Sequence, residues 1–125
     1  VGHGMGSFSW DTARKALAAG FRPDTISSDV HAMCIDGPAH DLLRTMTKFL
    51  ALGWTLPQVI AAATSASAAA LRRPDLGHLG GGATGDASVL ALDDAPIALE
   101  DVLGEIVHHP QRLTPRGRVI GGEWE

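Results

Sequence analysis

Thr25-Ile26-Ser27-Ser28-Asp29-Val30-His31 is the stretch that decides how this sequence folds. Thr25 to Ser28 reads as a brief strand that ends at the carboxylate of Asp29. Upstream, Gly2-His3-Gly4-Met5-Gly6-Ser7-Phe8-Ser9 reads as a strand end followed by a loop, with glycines that let the backbone approach whatever it faces. Between the two, a helix is predicted from Thr12 to Ala19, capped by Asp11 and followed by Gly20. Ala13, Ala16 and Leu17 form its inner stripe. Strand, helix, strand, helix is the rhythm of a parallel α/β unit, in which reactive residues gather at the C-terminal ends of strands.

Downstream of a loop with Gly37 and Pro38, Leu42, Leu43, Met46, Phe49 and Leu50 recur at the spacing of one helical face. Asp41, Arg44, Thr45 and Lys48 fill the other side, and Gly53 ends the helix. Thr55 caps the next one, with Pro57 in its first turn, where proline is tolerated. Val59, Ile60 and Ala63 face inward, and the pattern runs on to Leu71 with a break near Thr64 to Ser67. The composition changes at Arg72-Arg73-Pro74. Strands are then predicted at Ser88 to Leu92, Ile97 to Asp101 and Glu105 to His108. Arg116 to Ile120 and Glu123-Trp124 pair as a hairpin across Gly121-Gly122. A boundary is therefore expected between about Arg73 and Gly82, giving an α/β part over residues 1–75 and a β part over residues 76–125.

Composition excludes several classes. With 125 residues, 45% of them hydrophobic, the chain has enough apolar material for a core. A net charge of -4 gives no basic face for nucleic acid and no polybasic patch for an anionic membrane. The Ala-rich run from Val59 to Leu71 is too short and too polar to span a bilayer. Cys34 is the only cysteine, so no internal disulfide and no thiolate zinc cluster can form, and a cytoplasmic setting is expected. The sequence starts at Val1 inside a glycine-rich motif, as a truncated chain would.

Asp29 is the first candidate for chemistry. A carboxylate at a strand end can bind a divalent metal and accept a proton from metal-bound water; an aspartate in a short loop can equally cap a turn. His3, among glycines, is expected to have an unobstructed imidazole that meets a metal or a substrate, or else to be a turn residue without a role. His31 lies two positions after Asp29, on the same side of an extended chain. It orients substrate or bonds to the loop backbone. His108 and His109 are adjacent, so a strand points them to opposite faces. There is no His-Glu-x-x-His, no phosphate loop after Gly80-Gly81-Gly82, and no Gly-x-Ser-x-Gly elbow.

The two N-terminal motifs, with Asp36-Gly37-Pro38, Ala62-Ala63-Thr64 and Leu76-Gly77-His78-Leu79-Gly80-Gly81-Gly82-Ala83-Thr84-Gly85-Asp86, resemble the amidohydrolase/deacetylase branch of the amidohydrolase superfamily, the dihydroorotase-like enzymes. Gly85 stands where that pattern usually has alanine. The resemblance implies the C-terminal end of a (β/α)8 barrel followed by part of a small β-sandwich. It places Val1 to Ser9 after strand seven and makes Thr25 to Asp29 strand eight. Asp29 becomes the metal-binding aspartate that handles the catalytic proton, and His3, Gly4 and His31 become substrate contacts. It further implies zinc or another divalent metal in a full-length homo-oligomeric enzyme. The substrate is a small N-acyl, O-acyl or cyclic amide compound. The family's His-x-His, carboxylated lysine and later histidines have no counterpart here, so the chain alone is expected to be inactive and to retain no metal. Two other readings stay open: a small binding or structural protein derived from a barrel piece, and a subunit that completes a split hydrolase.

Overall fold

Two backbone hydrogen bonds and a parallel bridge lay the two N-terminal motifs side by side in the computed structural model, which describes every residue from Val1 to Glu125. Ser27 N donates to Val1 O at 2.8 Å, Gly4 N donates to Ser28 O at 2.9 Å, and Gly2 and Ser27 form a parallel bridge. The expected strand at Thr25 to Ser28 is thus reduced to one bridge. Ile26 still turns inward and its amide donates to Ala62 O at 3.0 Å.

Helix α1 runs from Trp10 to Ala18 and starts earlier than the sequence suggested. Its cap is Ser9, whose side chain accepts from Thr12 N, while Asp11 lies in the first turn and pairs with Lys15 at 2.7 Å. The reason is remote in sequence: Trp10 N, a helix-start amide without an intrahelical partner, donates to the buried carboxylate of Asp101 at 2.9 Å. Trp10 Nε1 donates to Leu99 O at 3.1 Å, so the indole is both packed and satisfied.

Helix α2, Leu42–Ala51, is capped by Asp41, which accepts from Arg44 N at 2.6 Å. Met46 and Phe49 are buried, as the apolar spacing predicts. Thr45 and Lys48, expected on the solvent side, are buried as well. A second layer covers that side: Leu113 N approaches Thr47 Oγ1 at 3.4 Å from the β part, and the loop at Pro38 closes over Lys48. Helix α3, Leu56–Ala63, begins with a Thr55/Gln58 capping box and breaks at Thr64; α4, Ser65–Ala70, follows. The link beyond α4 crosses this break so tightly that a Cβ on Gly77 would lie 2.8 Å from Thr64 and Ser65 backbone atoms.

The strands are β1 (Ala87–Asp93), β2 (Ile97–Glu100), β3 (Ile106–His109), β4 (Arg112–Ile120) and β5 (Glu123–Trp124). They form an antiparallel sheet in the order β1-β4-β5 and a separate β2-β3 ladder. The hairpin across Gly121-Gly122 is present, with Ile120 opposite Glu123. β4 starts at Arg112 rather than Arg116, because Leu113 is inward-facing core and Thr114 and Arg116 both bond Asp93 on β1. Pro115, which cannot donate to a ladder, faces Leu90 beside the register shift between Val89 and Leu90. His108 is exposed and His109 half-buried, on opposite faces as expected.

One core gathers side chains from both parts: Phe8, Trp10, Ile26, Met46, Phe49, Trp54, Val59 and Ala62 from the helical part, with Ile97, Leu99 and Leu113 from the strands. Phe8 is its hub, edge-on to Trp10 at 5.1 Å and to Phe49 at 6.1 Å between ring centroids. The elements change from helix to strand between α4 and β1, across the Arg73 to Gly82 stretch. No helix is long and apolar enough to cross a membrane.

Candidate active site

Asp29 follows directly on the Gly2–Ser27 bridge and is exposed to solvent. Its φ of 50° is left-handed, a conformation aspartate tolerates better than most residues. That turn breaks the extended path on which His31 and Asp29 were expected to share a side. His31 instead enters a turn of its own: Met33 N donates to its Nδ1 at 3.3 Å, and Cys34 N donates to its carbonyl at 2.9 Å. Its ring is exposed. Buried Cys34 closes the turn, with Sγ 3.7 Å from Asp29 O and 3.3 Å from His31 N.

Gly4 is pressed against the Asp29 carboxylate. A Cβ at Gly4 would lie 2.7 Å from Asp29 Oδ2, and Gly4 itself has a φ of 50°. Only glycine meets both requirements without displacing the carboxylate.

His3 is fully buried rather than open among the glycines. Its ring stacks on Phe8 at 5.1 Å and both nitrogens are engaged. Nδ1 lies 2.9 Å from Gly4 O, and Nε2 meets the Lys48 ammonium. A carbonyl only accepts and an ammonium only donates. The ring is therefore the neutral tautomer with its proton on Nδ1, donating to Gly4 O and accepting from Lys48. Burial holds His3 below its ordinary pKa, and the Lys48 charge adds to this against the pull of Gly4 O.

Lys48, 1% exposed, donates also to Pro38 O at 3.1 Å and to Glu100 O. Burial pushes its pKa down to about 8, with Asp101 and Glu100 pulling part of the way back and Arg44 adding to the fall. Burial alone would raise Asp101, yet amide hydrogen bonds from Trp10, Glu105 and Leu103, together with Lys48, keep it below the usual carboxylate range. The periodicity of α2 gave no sign of Lys48, since a lysine on the polar side of a helix reads as solvated.

A pH prediction follows from the Lys48 shift. Between about 8, folded, and 10.5, unfolded, the unfolded chain holds a proton that the folded chain has released. Raising the pH through that window therefore favours the folded state. Relative to Lys48→Met, the parent should gain up to about 3 kcal/mol of stability over that range, from about 1.4 kcal/mol per pKa unit. Denaturant midpoints of both proteins from pH 7 to 11 measure it, and a difference that stays flat with pH contradicts it.

No group of three or more His, Cys, Asp or Glu side chains comes together to hold a metal ion. Asp29 offers one carboxylate, His3 has no free nitrogen, and His31 has its Nδ1 engaged in its turn. Since a zinc site takes about three or more protein ligands, the residues present do not fit a divalent metal by themselves.

No family model matches the chain. A deacetylase of Agrobacterium fabrum is 34% identical over 98% of this chain and 30% of its own length. Among solved structures, an adenine deaminase superposes with a TM-score of 0.94 at 28% identity, over 98% of this chain and 34% of its own. A dihydroorotase superposes with a TM-score of 0.88 at 34% identity, over 98% of this chain and 32% of its own. The chain spans about a third of the length of the curated relatives it matches.

Proposed function

Because this chain is related in sequence and in fold to the amidohydrolase superfamily, we propose that it forms part of a hydrolase of amide or acyl-ester bonds in which Asp29 is the reacting carboxylate. The observation that carries this reading is the placement of Asp29. It stands exposed at the end of two short parallel extended segments, with the Gly4 backbone packed against its carboxylate. Reactive residues of parallel α/β folds collect at such ends. In this reading Val1 to Ser9 follows barrel strand seven, Thr25 to Asp29 is strand eight, residues 1–75 complete the barrel, and residues 76–125 belong to a small β-sandwich.

The chemistry is acyl transfer to water. The water oxygen attacks the acyl carbon while Asp29 takes its proton. The C–N or C–O bond then breaks, and the leaving nitrogen or oxygen departs with a proton returned by Asp29. A lone carboxylate does not make a metal site, so what this chain contributes is the proton acceptor. Gly4 and the exposed His31 face the substrate, while His3 acts from behind through Gly4 O. The similarity to a deacetylase and to a dihydroorotase favours small N-acetyl or O-acetyl acids and cyclic amides as substrates.

A substrate panel tests the reading. The full-length protein containing this chain should hydrolyse at least one of three classes, N-acetyl amino acids, O-acetyl hydroxy acids or cyclic amides, with a turnover of about 1 per second or more. Metal content is measured on the same preparation. No hydrolysis of any class by a folded, metal-supplied preparation would overturn it.

A further inference from the structure

Lys48 is a buried cation with no part in the proton transfer assigned to Asp29. A lysine on a helix ordinarily carries its ammonium out to water. Lys48 takes it inward, at an electrostatic cost that only good partners offset. It has three: His3 Nε2, Pro38 O and Glu100 O. An ammonium has three protons, so none is left over.

The partners come from three separate segments. His3 belongs to the glycine-rich loop before Asp29, and its Nδ1–H holds Gly4 O, on the residue whose backbone abuts the Asp29 carboxylate. Pro38 closes the loop that leaves Asp29; that loop is tied back to Asp29 O through Cys34 Sγ. Glu100 ends β2 and sits next to Asp101, which accepts from Trp10 N at the start of α1. One ammonium therefore fixes the chain on both sides of Asp29 to α2 and to the β part.

We propose that Lys48 is a positioning residue for Asp29, clamping the loops before and after it so that the carboxylate stands in a single place. The assignment rests on the reading of Asp29 as the reacting carboxylate. It differs from a purely structural role in one respect. A structural lysine protects the fold whatever stands at position 29, whereas a positioning lysine matters to turnover only while there is a carboxylate to position.

A double-mutant cycle in the full-length protein, on a substrate found with the panel above, separates the two. Lys48→Met should lower kcat about tenfold or more, with KM changed less than about threefold, as expected when a reacting group is misplaced. In an Asp29→Asn background the same change should alter the residual kcat less than about twofold, because the two residues act as a unit. If Lys48→Met does not fold, His3→Asn takes its place: its amide NH2 keeps a donor for Gly4 O, and the shorter side chain has no acceptor atom at the reach of Nε2 toward Lys48. It should show the same loss and the same non-additivity. A Lys48 or His3 variant with lowered thermal stability and unchanged kcat, or a loss that multiplies with that of Asp29→Asn, overturns the positioning role. Should Asp29→Asn itself keep parental turnover, the reading of Asp29 falls and takes the positioning role with it.

Discussion

Gly4→Ala is expected to cost about a hundredfold in turnover while leaving the fold in place, since small displacements of a reacting group cost that much. The added methyl would lie 2.7 Å from Asp29 Oδ2, closer than carbon and oxygen can pack. The carboxylate is the softer of the two partners: Asp29 is exposed, whereas the Gly4 backbone is fixed by Ser28 O and by the His3 ring. The methyl therefore rotates Asp29 away instead of moving the loop. An L-residue at a φ of 50° adds about 1–2 kcal/mol of backbone strain, which a folded protein tolerates. Gly6 gives the control, since a Cβ there meets nothing within 4 Å. Gly6→Ala should stay within a few-fold of the parent. Steady-state kinetics with thermal unfolding on both variants checks the pair, and equal turnover for Gly4→Ala and Gly6→Ala contradicts the contact.

Much of the architecture was legible in local signals. Thr55 and Pro57 announced α3, Gly53 announced the end of α2, and Gly121-Gly122 announced the last hairpin, because each is a local signal set by residues near in sequence. What was not legible depends on remote partners. α1 starts at Trp10 rather than Thr12 because Asp101 satisfies the Trp10 amide from the β part. β4 starts at Arg112 because Leu113 meets the core and Asp93 takes Thr114 and Arg116.

The site divides in the same way. The Asp29 and Gly4 motifs stood out in the sequence, and the structure sets them against each other. His3 was expected to be open, since glycines flank it, but Phe8 and Lys48 enclose it from α2 and the core. The Asp29–His31 alternation failed on one backbone torsion, the left-handed φ of Asp29, which no residue pattern nearby encodes. Lys48 was read as solvated because helical periodicity sees one covered face, whereas α2 is covered on two.

In the proposed mechanism Asp29 takes the proton of the attacking water. Asn keeps the size and shape of Asp29 while removing both the base and the charge. General-base catalysis alone contributes about a hundred- to ten-thousand-fold. Asp29 is exposed and its side chain makes no hydrogen bond, so the fold does not depend on it. His31→Ala, on an exposed ring beyond the reacting group, should act more on KM than on kcat. The decisive measurement is the kcat of the full-length protein and of its Asp29→Asn variant on one substrate, with metal content and unfolding temperature determined on the same samples. A loss of at least about a hundredfold with the unfolding temperature unchanged is the expected result; turnover by Asp29→Asn within a few-fold of the parent would contradict the role proposed for Asp29.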